Sequence, residues 1–311
     1  MGHRVIVAAA IAILVSHEGV RAQRKAPAHP DLQGMWNGAT LTPLQRPAEF
    51  KDTAIFTPEE AAEYLRTAAD RVRSRLPTPD DRQTQVDVDD DAVEREAMPL
   101  DHLRTSLIVE PANGMLPALL PVAQARLASR PKRSFDDPEA LNLAERCLLG
   151  NFGAGGSMAS PPVWPSPVIP AYFQIVQTDA HVLIAAEWMH DARVIRMNGT
   201  HLPPAIRKWL GDSIGYWDGA TLVVDTTNFR PEVHNLDSGE RLHVVERFSR
   251  IDRRTLHYRV TVDDPDTWAT AWTAEWPFRA LDARMFPVEC HEGNYAIEGF
   301  LRGARAEERR R

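Results

Sequence analysis

A chain of 311 residues with 43 acidic and 36 basic side chains, a net charge of −7 and an ordinary apolar fraction is sized for one large folded unit. The acidic balance leaves no basic field to recruit nucleic acid or an anionic membrane surface, and the composition is not that of a disordered chain.

At the start, His3 and Arg4 precede an uninterrupted apolar run, Val5 to Val15, followed by polar residues and then Val20, Arg21 and Ala22. This reads as the basic head, short apolar run and peptidase-readable end of a signal peptide over 1–22. The apolar run is too short to span a bilayer. Cleavage is expected before Gln23, giving a periplasmic or secreted protein with no membrane span. Cys147 and Cys290 are the two cysteines, and in an oxidising compartment they most simply form one disulfide.

Residues 23–170 read as a helical, proline-rich region. A first strand is expected near 32–38, where Gly34, Met35 and Trp36 form a G-x-W. That tripeptide resembles the opening strand of lipocalin-like barrels, in which the glycine allows close strand packing and the indole plugs the barrel's end. Thr57, Pro58 and Glu60 make a capping box with proline at the first helical position, and Ala61, Leu65, Ala68 and Val72 follow at helical spacing, so a helix runs to about Leu76. Gln83 to Glu96 lacks the glycine and terminal glutamate of a calcium loop and reads as a solvated acidic linker. Arg104 to Leu116 reads as a strand, a turn and the start of a return. Helices are expected over Pro121–Ser129 and from Asp137 to Cys147. The Gly-rich run Asn151 to Ser157 lacks the Lys-Ser/Thr of a phosphate-binding loop, and Pro161 to Pro170 must be extended.

From 171 to 311 the pattern is an antiparallel β meander. Strands are expected near Tyr172–Thr178, His181–Trp188, Ala192–Met197, Ser213–Trp217, Ala220–Asn228, Leu242–Ile251, Thr255–Asp263, Ala271–Phe278 and Met285–His291, with Asn294–Leu301 a further candidate. Asp218-Gly219 suits a two-residue type I′ hairpin turn, and Pro203 to Leu210 reads as a brief helix ended by Gly211. Regular strands, tight turns and few helices point to a mainly β fold: a lipocalin-like barrel or strongly curved sheet, one unit with its N-terminal embellishment.

Alternation shows which side chains share a face. Val182, Ile184, Ala186 and Trp188 line one side of their strand, with Glu187 on the other. Leu242, Val244 and Phe248 flank Glu246, which is therefore forced inward and needs a partner such as an arginine, or a proton. Trp272, Trp276 and Phe278 share a side. Two corners concentrate chemistry: Glu187 to Arg193, with His190, Asp191 and Arg193, and Glu289 to Asn294, with Cys290, His291 and Glu292. A histidine beside a carboxylate is a candidate general acid or base. No H-x-H or H-E-x-x-H spacing marks a metal site, no G-x-S-x-G elbow marks a serine nucleophile, and no cofactor fingerprint is present.

The runs WLGDSIGYWDGATLVVDTTNF (Trp209 to Phe229), VERFSRID, TVDDPDTWATAWTAEWPF and CHEGNYAIEGFLRGARAE resemble a recurring, uncharacterised family of exported bacterial proteins. The resemblance implies export and a single folded unit, and it carries no activity and no catalytic residues with it. The leading expectation is a barrel-like protein that binds a small apolar or aromatic molecule, with Glu187, Trp188, Glu246, Trp272 and Trp276 as ligand-binding residues. The alternative is a cofactor-free acid–base enzyme, a lyase, isomerase or hydrolase, working through His190, Asp191, Arg193, His291 and Glu292. A third is a structural, partner-binding envelope protein.

Overall fold

The computed structural model describes residues 29–73, 102–129, 135–141, 143–149, 172–189, 191–232, 238–286 and 295–310. Ten strands form one sheet: β1 (Gly34–Asn37), β2 (Ile108–Glu110), β3 (Tyr172–Gln177), β4 (His181–Ala186), β5 (Ala192–Met197), β6 (Asp212–Asp218), β7 (Thr221–Thr227), β8 (His243–Arg250), β9 (Thr255–Asp263) and β10 (Trp272–Leu281). The order is β1-β3-β4-β5-β6-β7-β8-β9-β10-β2, and an additional β1–β10 pairing closes nine of these strands into a barrel. The expected mainly β, barrel class is what forms.

The closure depends on β10 being long. Its free edge is shared: Thr273 and Ala274 pair with β2, and Arg279 to Leu281 pair with Asn37 to Met35 of β1. The G-x-W strand thus sews the barrel shut between β10 and β3. Trp36 is buried, its indole Nε1 donates to the carbonyl of Leu32 at 3.0 Å, and the guanidinium of Arg250 lies 5.4 Å over its ring. Residues just before β1 hold the same end. His29 stacks on Trp217 at 4.6 Å, and Gln177 bonds both the Leu32 amide and the Pro30 carbonyl.

Alternation fixes the interior. Val182, Ile184, Ile195, Leu222, Val224, Val244, Phe248, Tyr258, Val260, Trp272, Trp276 and Phe278 point inward and form one apolar cluster. On the opposite side of β10, Thr273 and Glu275 are also buried, and Arg104 and Arg259 pair with Glu275.

One step departs from an antiparallel meander. β5 and β6 run parallel, with Ile195 opposite Ser213 and Met197 opposite Gly215. A parallel pair needs a crossover the length of the barrel, and the stretch 198–211 supplies it. Gly215 lets the two strands approach: a Cβ there would sit 2.8 Å from Ile195 Cγ2. The expected helix over Pro203–Leu210 does not form, since this stretch spends its backbone on the next turn: Lys208 N donates to the Asn228 carbonyl and Arg230 N to the Lys208 carbonyl.

The hairpin forms with its turn displaced by one residue. Asp218 pairs with Thr221, so Gly219 and Ala220 are the central residues. Positive φ at Gly219 alone is the pattern of a type II′ turn rather than I′.

Three helices are present among the described residues: α1 (Pro58–Arg73), α2 (Pro121–Ala128) and α3 (Ala296–Glu308). The capping box of α1 is made, Glu60 N donating to Thr57 Oγ1 and Thr57 N to Glu60 Oε2. Ala61, with Phe56, Ala39 and Leu41, packs against Ala186 at the end of β4.

Other expectations are corrected. Residues 296–301 belong to α3, where Ile297, Phe300, Leu301 and Ala304 recur at helical spacing, and not to a strand. From Asp137 only a 3-10 turn, Pro138–Ala140, forms, capped by Asp137. Beyond β2, Pro111 stops the strand, and among the described residues no return pairs with it. Met285 and Phe286 are not in a strand, and the rest of the strand expected there lies outside the described residues, as do the signal peptide and the stretches 83–96 and 151–170. Cys147 is described but Cys290 is not, so the expected bridge also falls outside. Among the described residues no helix is long and apolar enough to cross a membrane.

Candidate functional site

Two fully buried charges meet inside the barrel. On β5, Arg193 points inward between Ala192 and exposed Val194; on β8, Glu246 points inward between Val244 and Phe248. Arg193 Nη2 donates to Glu246 Oε1 at 3.0 Å and Nη1 donates to Oε2, while the Tyr258 hydroxyl donates to Oε1 at 2.8 Å. The side chains are 1% and 0% exposed. The inward carboxylate with an arginine partner is therefore present, and the arginine comes from the other chemistry-rich corner.

In that corner Met189 lies at positive φ. Glu187 is buried and accepts the Phe286 amide at 2.8 Å, which seats the chain just before residue 287 against it. Asp191 and Trp188 are half-buried. His190, His291, Glu292 and Cys290 lie outside the described residues. Trp272 and Trp276 are packed among aromatic rings, Trp272 at 5.9 Å from Trp268 and Trp276 at 4.8 Å from Tyr258.

A cleft of about 420 Å³ opens where the start of β5 meets the end of the crossover. Leu148, Leu149, Val194, Trp209 and Leu210 give it an apolar lining, and Asp191 and Lys208 add charge. Leu148 and Val194 are 38% and 54% exposed, so apolar side chains face solvent here. Leu210 packs against two neighbouring apolar clusters and anchors the wall. Arg230 lies 4.4 Å over the Trp209 ring and orients it.

The outer face of β5 to β8 carries a network that sequence reading missed. Asp212 has no exposure and accepts from Arg196 Nη1 and Nη2, from Lys208 Nζ at 2.7 Å and from the Leu202 amide at 2.9 Å. Burial alone would push this carboxyl up, but those donors outweigh it and hold it far below the usual carboxylate range. His201 spans two carboxylates, Nδ1 at 3.3 Å from Asp212 Oδ2 and Nε2 at 2.9 Å from Asp225 Oδ1. His243 Nε2 meets the same Asp225 oxygen at 3.0 Å. Asp225 is also held down, its burial outweighed by His243 and His201. The hydrogen bond to Asp225 raises His243 despite burial, with Asp263 adding to the effect. The hairpin register puts Asp212 and Asp225 on one outward face and was a usable signal. His201 and Lys208 arrive from the crossover, which no local pattern places there. Among the described residues no group of three His, Cys, Asp or Glu side chains is arranged to hold a metal ion.

Comparison with protein-family models, with curated proteins and with solved structures finds no match for this chain.

Proposed function

We propose that the protein is exported to the periplasm or beyond and binds a small, largely apolar or aromatic molecule in the cleft formed by 148–149, 191–194 and 208–211. The observation that carries this is solvent-facing apolar side chains gathered in a concavity of about 420 Å³, within the size range of small-molecule sites. Trp209, oriented by Arg230, supplies a flat apolar wall, and Lys208 and Asp191 supply orienting charge. Titrating a panel of aromatic and aliphatic probes against intrinsic tryptophan fluorescence tests the reading. Trp209→Ala is expected to weaken the best probe by about tenfold or more with little change in thermal stability, because Trp209 is only partly buried. Equal affinity in both proteins would remove the cleft as the site.

A second reading, cofactor-free acid–base catalysis through Asp191 with His190, His291 and Glu292, draws support from the Glu187–Phe286 contact. That contact seats Phe286, five residues before His291 in the chain, against Glu187.

A further inference from the structure

The barrel interior holds buried N–H donors with no acceptor among the described residues. Glu246, the buried carboxylate that faces Arg193, is already occupied by two guanidinium nitrogens and the Tyr258 hydroxyl. Three further N–H donors, Arg193 Nε, Trp272 Nε1 and Trp276 Nε1, are buried with no hydrogen-bond partner among the described residues. Ser213 and Thr226, the inward hydroxyls of the hairpin, bond each other at 2.9 Å. Unmet donors in an apolar interior are costly, and indole N–H and guanidinium Nε are donors only. A buried ion pair is itself often less stable than an apolar filling of the same volume.

Two of the three donors belong to one chain of contacts. Arg193 binds Glu246, Glu246 binds Tyr258, and the Tyr258 ring packs edge-on against Trp276 at 4.8 Å. Trp272 and Trp276 share the inner face of β10 with only Ala274, a small residue, between them on that face.

Charge then selects the occupant. Arg193 and Glu246 neutralise each other, so a carboxylate or phosphate would bring an uncompensated charge into a dry interior, and a hydrocarbon would leave the donors unmet. We infer that the barrel interior is a second binding compartment for a neutral, acceptor-bearing molecule, a carbonyl group on an apolar or aromatic body, held by the spare donors Arg193 Nε, Trp272 Nε1 and Trp276 Nε1. This rests on the ligand-binding reading above and narrows its ligand class.

The test uses the full-length protein with ¹⁵N-labelled tryptophan and three probes of similar size: acetophenone, isopropylbenzene and benzoate. Trp272→Phe and Trp276→Phe assign the two indole N–H resonances. Acetophenone is expected to shift both resonances and to bind about tenfold more tightly than isopropylbenzene, the equivalent of one hydrogen bond. Benzoate is expected to bind no better than the hydrocarbon. Indole resonances that no probe moves up to millimolar concentration, or a preference for benzoate, overturn the inference. Trp209→Ala separates the two sites. If acetophenone still shifts the interior indoles in that variant at unchanged affinity, the interior compartment stands; if in addition no probe's affinity depends on Trp209, the cleft reading falls. If probe binding depends on Trp209 while the interior indoles stay still, the cleft stands and the interior compartment falls.

Discussion

Arg193 and Glu246, separated by 53 positions, face each other across the barrel interior with two nitrogens on two oxygens and almost no exposure. Such a pair ties β5 to β8 through the lumen, although the strands are not neighbours in the sheet.

Breaking it from one side leaves the other charge buried alone. Glu246→Gln and Arg193→Met are each expected to cost about 3 to 5 kcal/mol in urea unfolding. The double variant Arg193→Met with Glu246→Leu is expected to lose less than either single change, because no orphaned charge remains. A double mutant that loses the sum of the two would show that the pair contributes more than mutual neutralisation.

Asp225 and His243 make stability depend on pH in a defined direction. His243 is raised above its usual 6.5, so its contribution is complete below that value and is lost as pH climbs through the higher folded value. Asp225 lies below its usual 3.8, so its contribution is complete above that value and is lost as pH falls further. The stability difference between wild type and Asp225→Asn is therefore expected to be greatest between these two limits. It should narrow on the alkaline side first, as His243 loses its proton. Thermal melts of both proteins across pH 3 to 9 check this, and a difference that grows toward pH 9 would contradict it.

Asp212 fixes the crossover to the barrel wall. Asp212→Ala removes the acceptor of Arg196, Lys208 and the Leu202 amide at once, and is expected to cost about 3 kcal/mol. Hydrogen exchange should accelerate first at the Leu202 amide, while the amides of β8 and β9 stay protected. Uniform acceleration across the barrel would place the role of Asp212 elsewhere.

Two glycines separate backbone strain from crowding. Gly219 sits at φ +60° with nothing within 4 Å of where an added methyl group would lie, so Gly219→Ala is expected to cost only about 1 kcal/mol. Gly211, at φ +71°, would put a methyl 2.6 Å from Thr226 Cγ2 and 2.9 Å from the Thr227 carbonyl, and Gly211→Ala is expected to cost about 2 to 4 kcal/mol. Similar losses at both positions, read from urea midpoints, would show that the neighbours of Gly211 yield.

Much of the barrel wall was legible because strand period and turn chemistry are local. Alternation in Val182–Ala186, His243–Arg250 and Trp272–Phe278 named the inward faces, including Glu246, and Asp218-Gly219 marked the hairpin. The exact turn was not legible, since strand register decided that Gly219 and Ala220, not Asp218 and Gly219, occupy its centre. Nor was the parallel step between β5 and β6, because nothing in 198–211 differs locally from a capping helix.

The sequence by itself determined a mainly β chain, the inward position of Glu246 and the capping box of α1, all set by interactions within a few residues. Tertiary structure alone decided that β1 closes the ring against β10, that Arg193 is the partner of Glu246, and that His201 and Lys208 reach Asp212 and Asp225. Those pairings join residues whose separation along the chain says nothing about distance in space, and only the closure and twist of the barrel bring them together.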